Sequence, residues 1–404
     1  MPAPDVPTPR ARRGLDLLNF FLADAQTGFG PFVAVYLTAR HWTQVEIGFA
    51  LSLGTITAMV SQIPAGALVD AIRGKRAVVA SGITAIGLAA LLLGIWPILL
   101  PVIVAQVLHG FASCVLTPAI AAVSLGLVGH AALGERLGRN ARFAAVGNGL
   151  AAGVMGLLGS YVSARSVFIL TAALCVPALM MLPFIDTHHA PPTRRAPETY
   201  PDTQRSELIA LLTDRRLLVF AACAALFHLS NAAMLPIAAG ELTQIASSRA
   251  SLIIAACIVV PQAVVALASP WVGRTAERIG RRPLLLLGWA SLPVRAVLLA
   301  FLPTPWMVVA LQALSGISGA VFGVMMPLIA DDVTRGMHRF NLCIGIFGLA
   351  AAAGATFSTT LAGWLADARG DRWAFLGLAA AGLAGTLLVA FAMPETRTTT
   401  DTQT

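Results

Sequence analysis

Apolar residues run through this chain in long blocks, and polar residues are confined mostly to the stretches between them. Twelve blocks are long enough to cross a bilayer, since about 20 helical residues span the ~30 Å hydrocarbon core. The pattern therefore predicts an all-α integral membrane protein with twelve transmembrane helices. The predicted segments are 15–38, 45–70, 77–97, 100–127, 142–163, 166–185, 217–240, 250–273, 283–302, 305–330, 340–364 and 373–393.

Polar landmarks of the first six segments return in the last six, 207 or 206 residues further along. The matched pairs are Asp24 with Asn231, Asp70 with Glu277, and Gln106 with Gln312. Self-similarity at a fixed offset is typical of duplicated membrane bundles, in which binding sites lie near the bilayer midplane. The sequence therefore predicts two pseudo-symmetric six-helix bundles.

Arginine and lysine are concentrated in alternate loops, which are expected to face the cytoplasm together with both chain termini. We expect five parts along the chain. They are a disordered tail at 1–13, a bundle at 14–185, a cytoplasmic linker at 186–216, a second bundle at 217–393 and a C-terminal tail at 394–404.

Composition narrows the class of protein further. Charged residues make up 11% of the chain, against about 25% in soluble domains, and apolar residues make up 57%. The net charge of +8 lies in short clusters between apolar blocks, which favours membrane topology over nucleic-acid binding. No phosphate-binding loop or nucleophile–base set is apparent. The five cysteines lack metal or disulfide spacing. We expect no enzyme activity, cofactor or metal centre.

The loops after the second and eighth segments each combine a glycine, an acid and several bases. With the two six-segment halves and the long central loop, they resemble the major facilitator superfamily, whose loop reads Gly-x-x-x-Asp-x-x-Gly-Arg-Arg/Lys. The second copy fits with Glu277 in place of Asp, whereas the first copy has its second glycine, Gly74, one place late. The resemblance implies a secondary transporter in a bacterial plasma membrane. Its partners would be a small solute, protons and lipid, and we expect a monomer.

We expect these two loops to form a cytoplasmic gate, in which glycines let helices approach and charged groups hold one access state closed. The expected gate residues are Gly66, Asp70, Arg73, Arg76, Gly273, Glu277, Gly280, Arg281 and Arg282. In particular, Asp70 and Glu277 should each lie within reach of an arginine. The alternative is that the bases are only topology markers of the cytoplasmic side.

Asp24 is the leading candidate for proton coupling and solute binding. It lies about ten residues into the first segment, near 15 Å deep by helical rise, where an acid costs at least ~2.5–3.5 kcal/mol. Gly28, Gly30 and Pro31 follow, so we expect the helix to break there and free backbone groups for a ligand. The alternative is a structural hydrogen bond from Asp24 to a polar neighbour.

Other candidates for substrate binding fall on the same segments or their repeats. They are Thr27, Gln106, His109, His228, Asn231 and Met234. The histidines could shuttle protons or merely satisfy a neighbour. Arg295, midway along the ninth segment, either reaches inward to pair with an acid or extends toward the outer surface.

We expect proton-coupled efflux, that is, antiport of a solute against protons. The resemblance leaves the direction open, because family exporters often carry Gly-x-x-x-Gly-Pro in segment five and this chain has glycines there without the proline. The alternatives are an uptake permease, a metal-ion exporter using Asp24, His228, Asn231 and Met234, and a membrane receptor or scaffold without transport.

Overall fold

The computed structural model describes residues 8–27, 29, 31–185, 209–238, 250–301, 304–335, 337 and 339–397, and the regular structure in this part of the chain is helical. The α-helices are α1 (Pro9–Thr27), α2 (Pro31–Ala39), α3 (Gln44–Ala71), α4 (Lys75–Ile95), α5 (Leu99–Val128), α6 (Leu133–Tyr161), α7 (Ala164–Met181), α8 (Arg215–Asn231), α9 (Ala250–Ile279), α10 (Arg282–Phe301), α11 (Pro305–Val333), α12 (Phe340–Arg369) and α13 (Asp371–Phe391). A 3-10 turn covers Leu182–Phe184, and short helical stretches lie at 209–213 and 234–238.

Eleven helices of the described residues are long and apolar enough to cross a membrane. The first predicted segment is absent from this set because it is divided into α1 and α2, and because α1 begins with a charged turn. Large apolar side chains such as Leu100, Leu267 and Phe391 stand exposed on the helices, as expected of surfaces that face lipid. The predicted fold class, an all-helical membrane protein, is confirmed.

The chain divides into two compact units, Met1–Pro197 with Arg339–Gly345, and Glu198–His338 with Ile346–Thr404. In the first unit, α3 packs on α5, α4 packs on α5 and α7, and α1 packs on α6 and α7. The second unit repeats most of these pairings, since α9 packs on α11, α10 packs on α11 and α13, and α8 packs on α13. The duplication visible in the sequence therefore extends to the order of helix packing inside each unit.

Several predicted segment boundaries were wrong, because helices extend beyond the apolar blocks into stretches that contain charged residues. Helix α1 begins at Pro9, so 9–13 are helical and the expected tail is shorter; residues 1–7 lie outside the described residues. Helix α6 begins at Leu133, whereas the apolar block predicted 142. At the other end, Thr396 is buried, so the C-terminal unit continues past 393. Of the linker, 186–208 lies outside the described part, and α8 begins at Arg215.

Candidate functional site

The first membrane segment is interrupted where the sequence predicted a break. Helix α1 ends at Thr27 and α2 begins at Pro31, while Phe29 lies in a turn whose amide donates to the Gln26 carbonyl at 3.2 Å. Asp24 stands on the last turn of α1 before this break. The side chains of Asp24 and Thr27 lie outside the described residues, so their contacts stay predictions.

Helix α5 brings two predicted polar residues to different surroundings. His109 stacks on Phe29 with ring centroids 3.9 Å apart and rings nearly parallel at 7°, and its Nε2 lies 3.3 Å from the Ser113 hydroxyl. The imidazole therefore contacts the break between α1 and α2. Gln106 is buried one turn earlier against Gly54 of α3, and its Nε2 has no hydrogen-bond partner among the described residues.

In the second unit, Asn231 is the last residue of α8, and a turn separates it from the helical stretch 234–238. Its Oδ1 accepts a hydrogen bond from Arg295 Nη1 at 2.8 Å, and Arg295 Nη2 donates to Gln312 Oε1 at 3.0 Å. Arg295 is only 1% exposed, so it reaches inward and does not extend to the outer surface. Within the described part of the chain its hydrogen-bond partners are two amides, so the acid partner considered as one alternative is not found there.

The remaining predicted residues of this unit are packed among apolar groups. His228 makes edge contacts with the rings of Phe227 and Phe322, at centroid distances of 5.3 and 4.9 Å. Met234 is fully buried. Among the described residues, no group of three or more His, Cys, Asp or Glu is placed to hold a metal ion.

The first glycine-acid loop holds the beginning of α12. The Asp70 carboxylate accepts hydrogen bonds from the amides of Asn341 (3.1 Å) and Leu342 (2.8 Å) and from Asn341 Nδ2 (2.7 Å). A side chain at Gly66 would collide with the Asn341 carbonyl, which explains the glycine. The first amides of a helix have no partner within it, so Asp70 acts as an N-terminal cap. Its negative charge also interacts favourably with the positive end of the helix dipole.

Within the described residues, the Asp70 carboxylate binds Asn341 and Leu342 and no arginine, so the expectation of an arginine partner was wrong. Arg76 donates instead to the Ile185 carbonyl at 3.0 Å, and Lys75 donates to the Val69 carbonyl. Arg73 is exposed, and its side chain makes no hydrogen bond or ion pair within the part of the chain described. For Arg73 the topology-marker interpretation is therefore favoured.

The second loop forms a buried charged network. Arg281 donates through Nε and Nη2 to the two oxygens of Asp332, at 3.0 and 3.2 Å, and through Nη1 to the Ala276 carbonyl at 2.8 Å. Asp332 also accepts from the Thr396 hydroxyl at 2.8 Å. A bidentate pair of hydrogen bonds between arginine and a carboxylate is among the strongest side-chain interactions in proteins. Arg281 therefore ties the start of α10 to the end of α11.

Glu395 completes this network by accepting from the amides of Arg281 (2.8 Å) and Arg282 (3.1 Å), which caps α10 as Asp70 caps α12. Gly280 precedes them with φ +99, and a side chain there would collide with Glu395. Gly273 is buried and Glu277 is half-buried; an arginine partner for Glu277 stays a prediction. Sequence reasoning missed Asp332, Glu395 and Thr396, because only the fold brings them to this loop.

A further buried charged cluster in the first unit was also missed. Asp16 of α1 accepts from Arg136 and Arg139 of α6, with the closest Arg139 nitrogen at 2.6 Å. Arg136 Nε also donates a hydrogen bond to Asn140 Oδ1 at 2.8 Å, and Asn140 Nδ2 donates to the Ser124 hydroxyl at 2.7 Å. The sequence offered one signal, because Asp16 follows closely after three arginines, but those arginines were interpreted only as markers of the cytoplasmic side.

The repeated helical units, broken membrane helices and charged loops together define a membrane secondary transporter. The profile of the Major Facilitator Superfamily matches residues 15–260 and 217–404, and the chain belongs to this family. It is 38% identical over 395 residues to an uncharacterized MFS-type transporter of Mycobacterium tuberculosis, covering 96% of this chain and 94% of that protein. The family consists of transporters and not of enzymes, so the expectation of no enzyme activity is confirmed.

Two further proteins are similar to this chain, one in sequence over a short stretch and one in fold. Over 88 residues the chain is 38% identical to the class B tetracycline resistance protein of Escherichia coli, covering 21% of this chain and 22% of that protein. The crystal structure of the Escherichia coli fucose:proton symporter superposes with a TM-score of 0.75 at 14% identity, covering 94% of this chain and 98% of that one. The second likeness shows the shared fold alone.

Proposed function

We propose that this transporter exports a small solute in exchange for protons across a bacterial plasma membrane, as a monomer with both termini in the cytoplasm. The observation that carries the proposal is the interruption of the first membrane segment between Thr27 and Pro31, one helical turn after Asp24. Broken helices at mid-membrane leave backbone groups free to bind solute and ion. An acid beside such a break is suited to binding the coupled proton.

His109 supports this assignment because its ring stacks on Phe29 within the break. An imidazole at this position lies beside the segment that carries Asp24, and it can exchange a proton or donate a hydrogen bond to solute. His228, packed between Phe227 and Phe322, is the weaker candidate for the same task. In the second unit, Asn231 accepts a hydrogen bond from Arg295, and these two residues together are the candidate solute contacts.

Export is favoured over uptake by the likeness to a tetracycline resistance protein, although that likeness covers only 21% of the chain. The absence of a proline from segment five argues against export. The direction of solute transport is therefore measured first, because it distinguishes an exporter from an uptake permease of the same fold.

The test is proton flux in proteoliposomes of known orientation. Tetracycline is the first solute tried, followed by a panel of small organic cations, anions and neutral compounds. Antiport predicts that adding a solute on one side drives protons out of the other, recorded by a trapped pH dye. Movement of solute and protons in the same direction would establish symport. Movement of solute without protons would show that transport is not coupled to protons.

We further propose that the Asp70 cap on α12 stabilises one access state of the transport cycle. Replacing Asp70 with Ala removes the acceptor of three hydrogen bonds, and loss of a helix cap typically costs about 1 kcal/mol. We expect Asp70→Ala to lower turnover about fivefold to tenfold while the KM for solute changes less, because the cap acts on the access equilibrium. Initial transport rates at several solute concentrations measure both quantities.

The matched control is Arg73→Ala, since Arg73 lies three residues away in the same loop and is exposed. That variant should keep the parent's turnover. Equal turnover in Asp70→Ala and the parent would leave only a topological role for this loop.

A further inference from the structure

Among the residues that the structure describes, Arg295 in the interior of the second unit has no carboxylate partner. Arg295 lies midway along α10 and is 1% exposed. Its two terminal nitrogens donate to Asn231 Oδ1 and Gln312 Oε1, at 2.8 and 3.0 Å. Both acceptors are neutral amides, so neither contact brings a negative charge to the guanidinium.

The hydrogen bonding of this guanidinium is also incomplete. An arginine has five N–H donors, and its Nε here is buried without a partner among the described residues. A charge in a membrane segment is costly, and such residues usually face a cavity or partner and have a functional role. An anion is the group that would satisfy both the charge and the unpaired Nε–H.

The fold itself does not require an arginine at this point. Gly82 of α4 and Gly288 of α10 are matched by the repeat, and each packs against the helix that follows. By the same offset, Arg295 is matched by Ala89, a fully buried alanine in an equivalent helix. The first unit therefore builds the same helix packing with an apolar residue. This comparison argues against a purely structural role for Arg295.

The position of the arginine also suits ligand binding. Its partner Asn231 is the last residue of α8, next to the turn that interrupts the seventh predicted segment. Its other partner, Gln312, lies on α11 and is fixed by its own bond to the Val308 carbonyl at 3.3 Å. Asn231 and Gln312 thus each hold one terminal nitrogen of the guanidinium, beside the turn that follows α8. A pre-oriented guanidinium is the side chain best matched to a planar carboxylate.

We propose that Arg295, oriented by Asn231 and Gln312, binds a carboxylate of the transported solute, which makes the substrate class small organic acids. The inference rests on the proposed transport function but not on its direction or on proton coupling. Arg295 supplies the charge and an Nε–H that has no partner among the described residues, and the two amides orient its terminal nitrogens.

The experiment measures thermal unfolding of the purified full-length protein in detergent, without any gradient. The probes are acetate, benzoate and succinate, each compared with its neutral amide: acetamide, benzamide or succinamide. We expect at least one carboxylate to raise the Tm saturably while its amide does not, because only a ligand that binds the folded state stabilises it. Inorganic phosphate is run in parallel, and a shift from phosphate alone would overturn the carboxylate assignment.

Three substitutions at the site and one exposed control locate the effect. Arg295→Gln should abolish the shift and Arg295→Lys should weaken it, while the exposed Arg165→Gln keeps it unchanged. Asn231→Asp is nearly isosteric and places a carboxylate beside the guanidinium. It should raise the Tm of the unliganded protein and weaken carboxylate binding at least tenfold, which keeps the test decisive even if Arg295→Gln fails to fold.

The inference is overturned if none of the three carboxylates shifts the parent's Tm. It is equally overturned if Asn231→Asp binds carboxylate with the parent's midpoint. Because no proton gradient is used, failure of proton antiport in proteoliposomes would leave this result unchanged, and the two proposals fail separately.

Discussion

Replacing Asp24 with Asn should abolish gradient-driven accumulation of solute while leaving the protein folded in the membrane. In a gradient of about two pH units, one coupled proton supplies about 2.7 kcal/mol, enough for a concentration ratio of about a hundredfold. The amide has nearly the shape of the carboxyl group but cannot exchange a proton. We therefore expect the ratio to fall from about a hundredfold to about one in proteoliposomes, whereas exchange of labelled for unlabelled solute continues.

Asp24→Glu is the matched control, because it keeps a titratable group on the same turn of α1 and should retain part of the accumulation. The readout is the steady-state solute ratio at fixed gradient, together with the exchange rate at zero gradient. If Asp24→Asn accumulates solute as well as the parent, coupling lies elsewhere. His109 would then be the next residue to replace, ahead of His228, because His109 contacts the break in the first segment.

Replacing Asp16 with Ala should destabilise the protein by about 3–5 kcal/mol, since it leaves Arg136 buried without a counter-charge. The side chains of Asp16 and Arg136 are each 3% exposed, so water cannot compensate for the loss. Denaturant titration of the detergent-solubilised protein, followed by tryptophan fluorescence or circular dichroism, measures the effect. Removing the exposed acid Asp367 by the same substitution should change stability by no more than about 0.5 kcal/mol.

The double variant Asp16→Ala, Arg136→Met tests the reason for this effect. If the cost comes from an uncompensated buried charge, removing the arginine as well should recover much of the lost stability. A loss of stability equal to that of the single variant would indicate instead that Asp16 acts through packing. Full stability of Asp16→Ala alone would show that the ion pair contributes little.

The two glycine-acid loops show how one motif is used differently in two repeats. In the first loop, Asp70 caps α12 directly. In the second, the motif base Arg281 binds Asp332, and the cap of α10 comes from Glu395, far along the chain. Yet one bond is shared, since Lys75 and Arg281 each donate to a carbonyl of the preceding helix, at Val69 and Ala276. Duplication preserved the helix packing while the charged contacts diverged.

The sequence by itself determined the features that depend on local chemistry. Continuous apolar blocks specify membrane helices wherever backbone groups must be satisfied within the segment. The glycines and the proline after Thr27 specify the break between α1 and α2, because these residues disfavour an unbroken helix. The nearly constant offset of 206 or 207 between matched residues specified the duplication. Each of these features can be inferred from neighbouring residues or from simple repetition.

Only the tertiary structure decided which charged residues are buried and what they bind. Arg136 falls between the predicted segments 100–127 and 142–163, yet it lies inside α6, where Asp16 of a different helix neutralises it. Arg295 could not be placed until α8 and α11 brought Asn231 and Gln312 to it. A charge enters a low-dielectric interior only with partners, and partners distant in sequence meet only through packing. The charged contacts of this transporter are therefore properties of its fold.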